Sequence, residues 1–495
     1  MLFNSLHYLI FLPIVMGLYY LFPHRWRWLL LLVASYYFYM CWSADYAVKV
    51  EYALLLLVST SVAYAAGLGI ARTDDPRRKR IFLWSSISVL LGILFTFKYY
   101  NFVNDSLRSA LAALEIPFAI PYSSLLLPIG ISFYTFQKIS CVVDVYHGQA
   151  KAEKHFGIFA VYSRFFPQLV AGPIERPRHL LHQFYERHEF SYENAIAGLK
   201  QILWGVFKKV VVADRVAILV QVVYADPRSH AGLPLLVATI FYAFQIYCDF
   251  SGYTDIALGS ARLIGFDLMA NFRQPYFSKS IPEFWRRWHI SLSTWFKDYL
   301  YIPLGGNRVV KWRWYYNLFI TFFISGLWHG ANWKWGVWGA LHGGYMVLDS
   351  FFGSGRDWLR GNLKTLFAQT AFDGFNIALT FALVTVAWIP FRAANQADAW
   401  YIFTHLFAGA SHWLNLGTMA IQFRGLGLNS TEFLLAVIFI AVVVVYDVID
   451  SRAGVWESLR ARPMPVRWAV YYALLILVLF FGPYNQAQNF IYFQF

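Results

Sequence analysis

Charge is scarce in this chain: Asp, Glu, Lys and Arg make up 14% of its 495 residues. A soluble protein carries about a quarter, so a water-facing surface in proportion to this length is excluded. Cysteine is scarcer still. Cys41, Cys141 and Cys248 lie far apart in apolar surroundings, which argues against a disulfide framework or a cysteine metal centre and leaves them as packing residues. The chain also lacks a His-Glu-x-x-His pair, any short His-x-His spacing, a P-loop and a Rossmann glycine fingerprint, so no metal site is expected. No long polar linker, low-complexity tract or clear tandem repeat interrupts it. One membrane domain over residues 1–495 is expected, with 484–495 as an aromatic C-terminal tail.

What the chain has is apolar surface, 59% hydrophobic residues and 20% aromatic. A window of about 19 residues, the length that spans a bilayer, finds roughly twelve crossings, near 6–22, 28–42, 46–70, 81–97, 122–145, 199–223, 233–263, 315–328, 335–349, 372–389, 433–446 and 469–481. The expected class is all-α integral membrane. The first run reads as a retained span, because no basic region precedes it and no small-residue cleavage site follows. Segments 156–170 and 281–303 are too polar or too short to cross and suit re-entrant or interfacial helices. Irregular backbone at membrane depth needs protein or water around it, so a central cavity is expected.

The formal net charge of +14 does not point to nucleic acid, because the basic residues sit in short loops between apolar runs, the positive-inside pattern. Arg25 and Arg27, then Arg72 and the run from Arg77 to Arg80, then Lys151 and Lys154, follow the first, third and fifth spans. Those loops are assigned to the cytoplasm, which puts the N-terminus outside. Segment 392–430, with only Arg392 and Arg424 as basic residues, should face out. The C-terminus should do the same.

Between Gln245 and Asn332 the composition changes. Asp249, Asp255, Arg262, Asp267, Lys279, Glu283 and Lys297 crowd there with two histidines, His289 in Glu283-Phe-Trp-Arg-Arg-Trp-His289 and His329 in Gly326-Leu-Trp-His329-Gly-Ala-Asn332. Ionisable groups at membrane depth mark a wet or protein-lined site, and histidine, titrating near neutrality, suits proton transfer. As one helix, 281–301 would align Trp285, His289, Leu292 and Phe296 on one face and Arg286, Ser293 and Lys297 on another. Two readings fit: an interfacial amphipathic helix with snorkelling arginines, or an aromatic face lining a cavity that holds His289 while the basic face meets phosphates. His329 likewise reads either as an interfacial hydrogen-bonding residue or as a site residue, with Gly326 and Gly330 permitting close approach by backbone or ligand. His342, in Leu341-His-Gly-Gly344, repeats that pattern weakly.

The ordered set Ala171-Gly-Pro-Ile-Glu-Arg-Pro177, Tyr247-Cys-Asp-Phe-Ser-Gly-Tyr-Thr-Asp255, Asn271-Phe-Arg-Gln-Pro-Tyr276, Phe284-Trp-Arg-Arg-Trp-His-Ile-Ser-Leu-Ser-Thr-Trp295, Pro303-Leu-Gly-Gly-Asn-Arg308 and Gly326-Leu-Trp-His-Gly330 resembles the membrane-bound O-acyltransferase family. The likeness is to its bacterial branch, which contains the alginate O-acetylation and teichoic acid D-alanylation proteins. It implies a ring of tilted helices around a thinned centre where a cytoplasmic donor funnel meets an extracytoplasmic acceptor funnel. The family's principal histidine maps to His329 and its second polar position to His289. The resemblance further implies transfer of acetyl from cytoplasmic acetyl-CoA, a substrate rather than a tightly bound cofactor, toward an extracytoplasmic polysaccharide such as alginate, peptidoglycan or cellulose. It also implies location in the bacterial inner membrane among its lipids, and a periplasmic partner of the serine-esterase-like (SGNH) type. Arg273, Arg286, Arg287 and Arg308 are candidates for the coenzyme A phosphates.

The tail ends Phe490-Ile-Tyr492-Phe-Gln-Phe495, which resembles the Phe-x-Tyr-x-x-Phe motif of bacterial acyl-transfer systems in this branch. Tyr492 is therefore a third candidate catalytic residue, an acyl relay held by Phe490 and Phe495. The alternatives are D-alanyl or another acyl transfer, a transporter, and a scaffold for an export complex. Neither of the last two would consume acetyl-CoA.

Overall fold

In a computed structural model the chain is helical wherever it is regular, and no strand occurs among the described residues. The structure describes residues 1, 3–41, 50–125, 127–169, 172–413, 417, 422–423, 425–486, 488 and 490–491. Among the described residues six helices are both long and apolar enough to cross a bilayer: Ala53–Ala71, Pro76–Ala112, Leu233–Leu263, Leu366–Arg392, Ser430–Ala453 and Met464–Phe481. The chain is thus a multi-pass membrane protein. The count is half that expected from hydropathy, for physical reasons. Leu6–Leu21 and Ile131–Tyr146 have 16 residues each, about 24 Å of helix at 1.5 Å per residue, short of a hydrocarbon core of about 30 Å. Lys311–His329 and Trp333–Asn362 match expected spans but carry more polar residues.

Four boundaries differ from the sequence expectation. The span expected at 122–145 begins only at Ile131, because Pro117, Pro121 and Pro128 and the left-handed Gly130 (φ 72°) keep the preceding chain out of helix. The span expected to end at Phe97 continues through a π-helical turn, Phe95–Tyr99, into Tyr100–Ala112. The run expected at 199–223 is divided by a second π-helical segment, Phe207–Ala213. Segment 281–301 is not one helix but three pieces, Ile281–Arg287, Ile290–Phe296 and the π-helical Lys297–Tyr301.

The chain divides into two compact units, Met1–Ile202 with Tyr253–Ala270, and Leu203–Gly252 with Asn271–Phe495. In the first unit Val50–Ala71, Pro76–Leu94 and Ile131–Tyr146 pack on one another. The Arg164 guanidinium is fully buried, 3.6 Å above the Tyr134 ring centroid, where the aromatic face offsets part of its desolvation. Glu175, in the Gly172-Pro-Ile-Glu-Arg stretch, is also buried. Its Oε2 lies 2.8 Å from His179 Nδ1 and its Oε1 accepts the Met269 N–H at 2.6 Å, so it braces the loop. That hydrogen bond to the carboxylate holds the His179 imidazole above its ordinary pKa.

The second unit is built on buried aromatics. Trp288, Trp338 and Trp388 are each at most 2% exposed. Helices Lys311–His329 and Trp333–Asn362 form an antiparallel hairpin whose backbones touch. A Cβ on Gly326 would lie 2.3 Å from Trp335 O, and one on Gly339 would lie 2.5 Å from Phe322 O. Gly326→Ala is expected to destabilise the protein by about 1–3 kcal/mol, the usual cost of overpacking, seen as a lower melting temperature of the purified protein. An unchanged melting temperature would show that the hairpin can open without cost.

Candidate functional site

Each candidate histidine is placed by a feature that fixes its backbone. His289 stands at the break between Ile281–Arg287 and Ile290–Phe296 and is itself left-handed (φ 43°, ψ 54°). A residue with a Cβ adopts that conformation only when its surroundings compel it. Asn271 supplies the compulsion. Its carbonyl accepts the Ile290 N–H at 3.0 Å and its Oδ1 accepts the Ser291 N–H at 3.2 Å, satisfying the first donors of the second short helix. The Arg273 N–H in turn reaches Arg287 O at 3.0 Å. The 271–276 motif therefore clamps the 284–295 motif open at His289. With the helix broken, the expected face Trp285, His289, Leu292, Phe296 does not persist as a continuous stripe.

His329 is the last residue of its helix, followed by the turn to Asn332, whose side chain caps the next helix by accepting the Lys334 N–H at 3.0 Å. A Cβ on Gly330 would lie 2.0 Å from Trp335 Nε1, so that glycine lets the indole lie against the turn. The His329 ring packs edge-on against Trp338 and Phe391, with centroids at 5.0 and 5.4 Å. The negative end of the helix dipole favours positive charge there.

The two histidines belong to one aromatic block. Trp288, next to His289, is 5.1 Å from Trp388, which is 5.1 Å from Phe391, which is 5.4 Å from His329. On its other side the His289 ring meets Phe250 edge-on at 4.7 Å, and Phe250 is 6.0 Å from Phe490 of the tail. His289 and His329 are 1% and 5% exposed. His342 is fully buried, and its Nδ1 accepts the Trp285 indole N–H at 3.3 Å. That bond places the proton of the neutral ring on Nε2, and the ring packs edge-on against Trp285 and Trp338.

A cavity of about 400 Å³ opens beside this block. Trp285, Leu292 and Phe296 give it apolar walls, while Arg286, Ser293 and Lys297 add polar groups. The two sets that the sequence placed on different faces of one helix thus line the same cavity, and His289 is absent from the lining. Ser325, one helical turn before His329, also lines it. Of the four arginines proposed for a phosphate-bearing donor, only Arg286 faces this cavity. Arg287 pairs with Glu283 at 2.6 Å, and the exposed Arg273 and Arg308 do not line it. Lys297, which the sequence reading placed with Arg286 on the basic face of 281–301 but not among the arginines named for the donor, is the second cation lining the cavity.

Tyr492 and Phe495 lie outside the described residues. Their neighbours Phe490 and Ile491 are described, and each is 2% exposed.

Residues 155–356 match the membrane-bound O-acyltransferase family, an interval that holds both histidines and the cavity. The chain is 41% identical over 411 residues to the protein named "Probable alginate O-acetylase AlgI" of Pseudomonas aeruginosa, covering 82% of this chain and 75% of that one. It is 34% identical over 409 residues to the peptidoglycan O-acetyltransferase of Helicobacter pylori, covering 77% and 72%. Similarity extends, at 27% identity over 247 residues, to the teichoic acid D-alanyltransferase of Bacillus subtilis, covering 47% and 61%. With relatives this similar over most of its length, the chain belongs to the membrane-bound O-acyltransferase family and is an enzyme of acyl transfer.

Proposed function

We propose that this enzyme takes acetyl from cytoplasmic acetyl-CoA and passes it across the bacterial inner membrane for O-acetylation of an extracytoplasmic polysaccharide. The observation that carries the proposal is the meeting, within one compact unit, of His289, His329 and the buried tail residue Phe490 on a single aromatic block beside a cavity bearing Arg286 and Lys297. In this reading the cavity admits the donor, its apolar walls taking the pantetheine arm and the two cations meeting phosphate. Both chain ends face outward, as the loop charges suggest, and the helices beyond the six long ones complete the family's ring.

His329 acts as the general base. The Tyr492 hydroxyl oxygen attacks the thioester carbonyl carbon, His329 takes the phenolic proton, the C–S bond breaks, and the imidazolium returns the proton to the departing thiolate. His289 orients the reacting groups. The acetyl-tyrosine, a phenyl ester and so a better acyl donor than an alkyl ester, is discharged onto a periplasmic SGNH-type partner that completes transfer to sugar hydroxyls. D-alanyl transfer is the second reading, favoured by the similarity to teichoic acid D-alanyltransferases.

The test uses purified full-length protein and isotopically labelled acetyl-CoA, with thiol release and mass spectrometry of the C-terminal peptide as readouts. Label on Tyr492 is expected in the wild type and is expected to be lost in Tyr492→Phe. Thiol release with an unlabelled tail, or full transfer by Tyr492→Phe, sinks the relay. No thiol release even with a polysaccharide acceptor and partner supplied sinks the acetyl-CoA reading.

A further inference from the structure

A buried ionic cluster in the second unit has no part in the chemistry above. Lys209 Nζ lies 2.8 Å from Asp214 Oδ1 and 2.7 Å from Asp249 Oδ1, and all three side chains are at most 4% exposed. Two carboxylates sharing one ammonium in an apolar interior need further hydrogen-bond donors. The C-terminal tail supplies one. The Ile491 N–H donates to Asp249 Oδ2 at 2.7 Å, while Lys209 Nζ donates to Gln488 O at 2.9 Å as well as to Asp214 Oδ1. The cluster and the tail main chain thus satisfy each other: the ammonium meets a tail carbonyl, and Asp249 meets a tail amide.

Local structure explains why the cluster sits there. Lys209 lies in the π-helical segment Phe207–Ala213, a form that recurs where a helix serves a site. Gly252, three residues after Asp249, allows the facing helix to touch it, because a Cβ there would lie 2.7 Å from Gly205 O and 3.1 Å from Lys209 N. Lys208 is held on the same helix by donating to Ser251 Oγ at 2.8 Å. Phe490, between the two gripped positions, stands 6.0 Å from Phe250, whose ring touches His289 at 4.7 Å.

We propose that Lys209 and Asp249, with Asp214 holding Lys209 in place, are positioning residues that grip the main chain of the tail and fix its register beside His289. Residue 492 follows the gripped Ile491 directly in the sequence. The grip acts on backbone atoms of Gln488 and Ile491, so it does not depend on which side chain follows them. The inference deepens the relay reading and rests on it for its catalytic meaning.

The test is hydrogen–deuterium exchange of the full chain in lipid nanodiscs, followed on peptides covering 482–495, for wild type, Asp249→Ala, Lys209→Met and Ile491→Pro. Ile491→Pro removes the donor from the tail side and leaves the buried cluster unaltered, so it stays informative if the cluster variants fail to fold. The expected result is a protected tail in the wild type and exchange faster by about tenfold or more in every folded variant, with peptides from Lys311–His329 and Trp333–Asn362 unchanged. Release of the tail should also reduce labelling of Tyr492 by acetyl-CoA without reducing donor binding, which a purely structural cluster would not separate. Tail protection that survives Ile491→Pro overturns the grip. Should Tyr492→Phe retain transfer while tail exchange responds as expected, the relay fails and the grip stands; should Tyr492→Phe abolish transfer while exchange is unmoved, the grip fails and the relay stands.

Discussion

His329→Ala is expected to lower acyl transfer by about 10²–10⁴-fold, the usual contribution of general base catalysis, while donor binding survives. In the proposed mechanism the dipole at its helix end would stabilise the imidazolium formed when the ring takes a proton, and Trp338 and Phe391 hold the ring edge-on. A base fixed in this way spends no free energy on reorientation when the proton moves. Removing the imidazole also leaves a hole among aromatic rings, and that loss of packing costs roughly 2–4 kcal/mol, so activity must be read against stability. His329→Gln refills much of the volume without supplying a base of comparable strength. Both variants should be nearly inactive at saturating donor, with the glutamine form melting closer to wild type. Wild-type turnover in His329→Gln would remove the residue from proton transfer and leave it as packing.

How much of this was legible in the sequence depends on whether the cause was local. Leu233–Leu263 coincides with its hydropathy run, because a continuous apolar stretch specifies a buried or lipid-facing helix by itself. The late start of Ile131–Tyr146 was also legible in principle, since Pro117, Pro121, Pro128 and Gly130 are all local signals. The break at His289 was not. Nothing in Trp288-His-Ile-Ser291 announces it, with neither glycine nor proline at the kink. Its cause is Asn271, 18 residues earlier, drawing away two backbone donors, and periodicity does not register a hydrogen bond made across that separation.

The tail grip was hidden for the same reason. Lys208 and Lys209 in an apolar run look like markers of topology, and Asp249 looks like one more polar residue of the middle third. Only the folded chain brings them to Gln488 and Ile491. The cavity was half legible: 281–301 supplied the residues that line it, but as three pieces rather than one helix they bring both expected faces to one cavity and leave His289 out of it.

His289 carries two loads, one on its backbone and one on its ring, and substitutions can separate them. Its left-handed backbone (φ 43°) costs a residue with a Cβ about 1–2 kcal/mol, much less for asparagine and nothing for glycine. Its ring, 1% exposed and 4.7 Å from Phe250, faces the aromatic path that leads to the tail. If the ring orients the reacting groups, His289→Gly and His289→Asn should lose activity together, by about 10²-fold or more, although both tolerate the kink. His289→Ala should lose the same activity and additional stability, because it keeps the strain and forfeits the packing. If the residue serves only as a hinge, the order inverts: glycine and asparagine would retain turnover and alanine alone would fail. Thiol release from acetyl-CoA measured beside melting temperature across the three variants distinguishes the cases, and retention of wild-type turnover by His289→Asn would assign the site's proton chemistry to His329 alone.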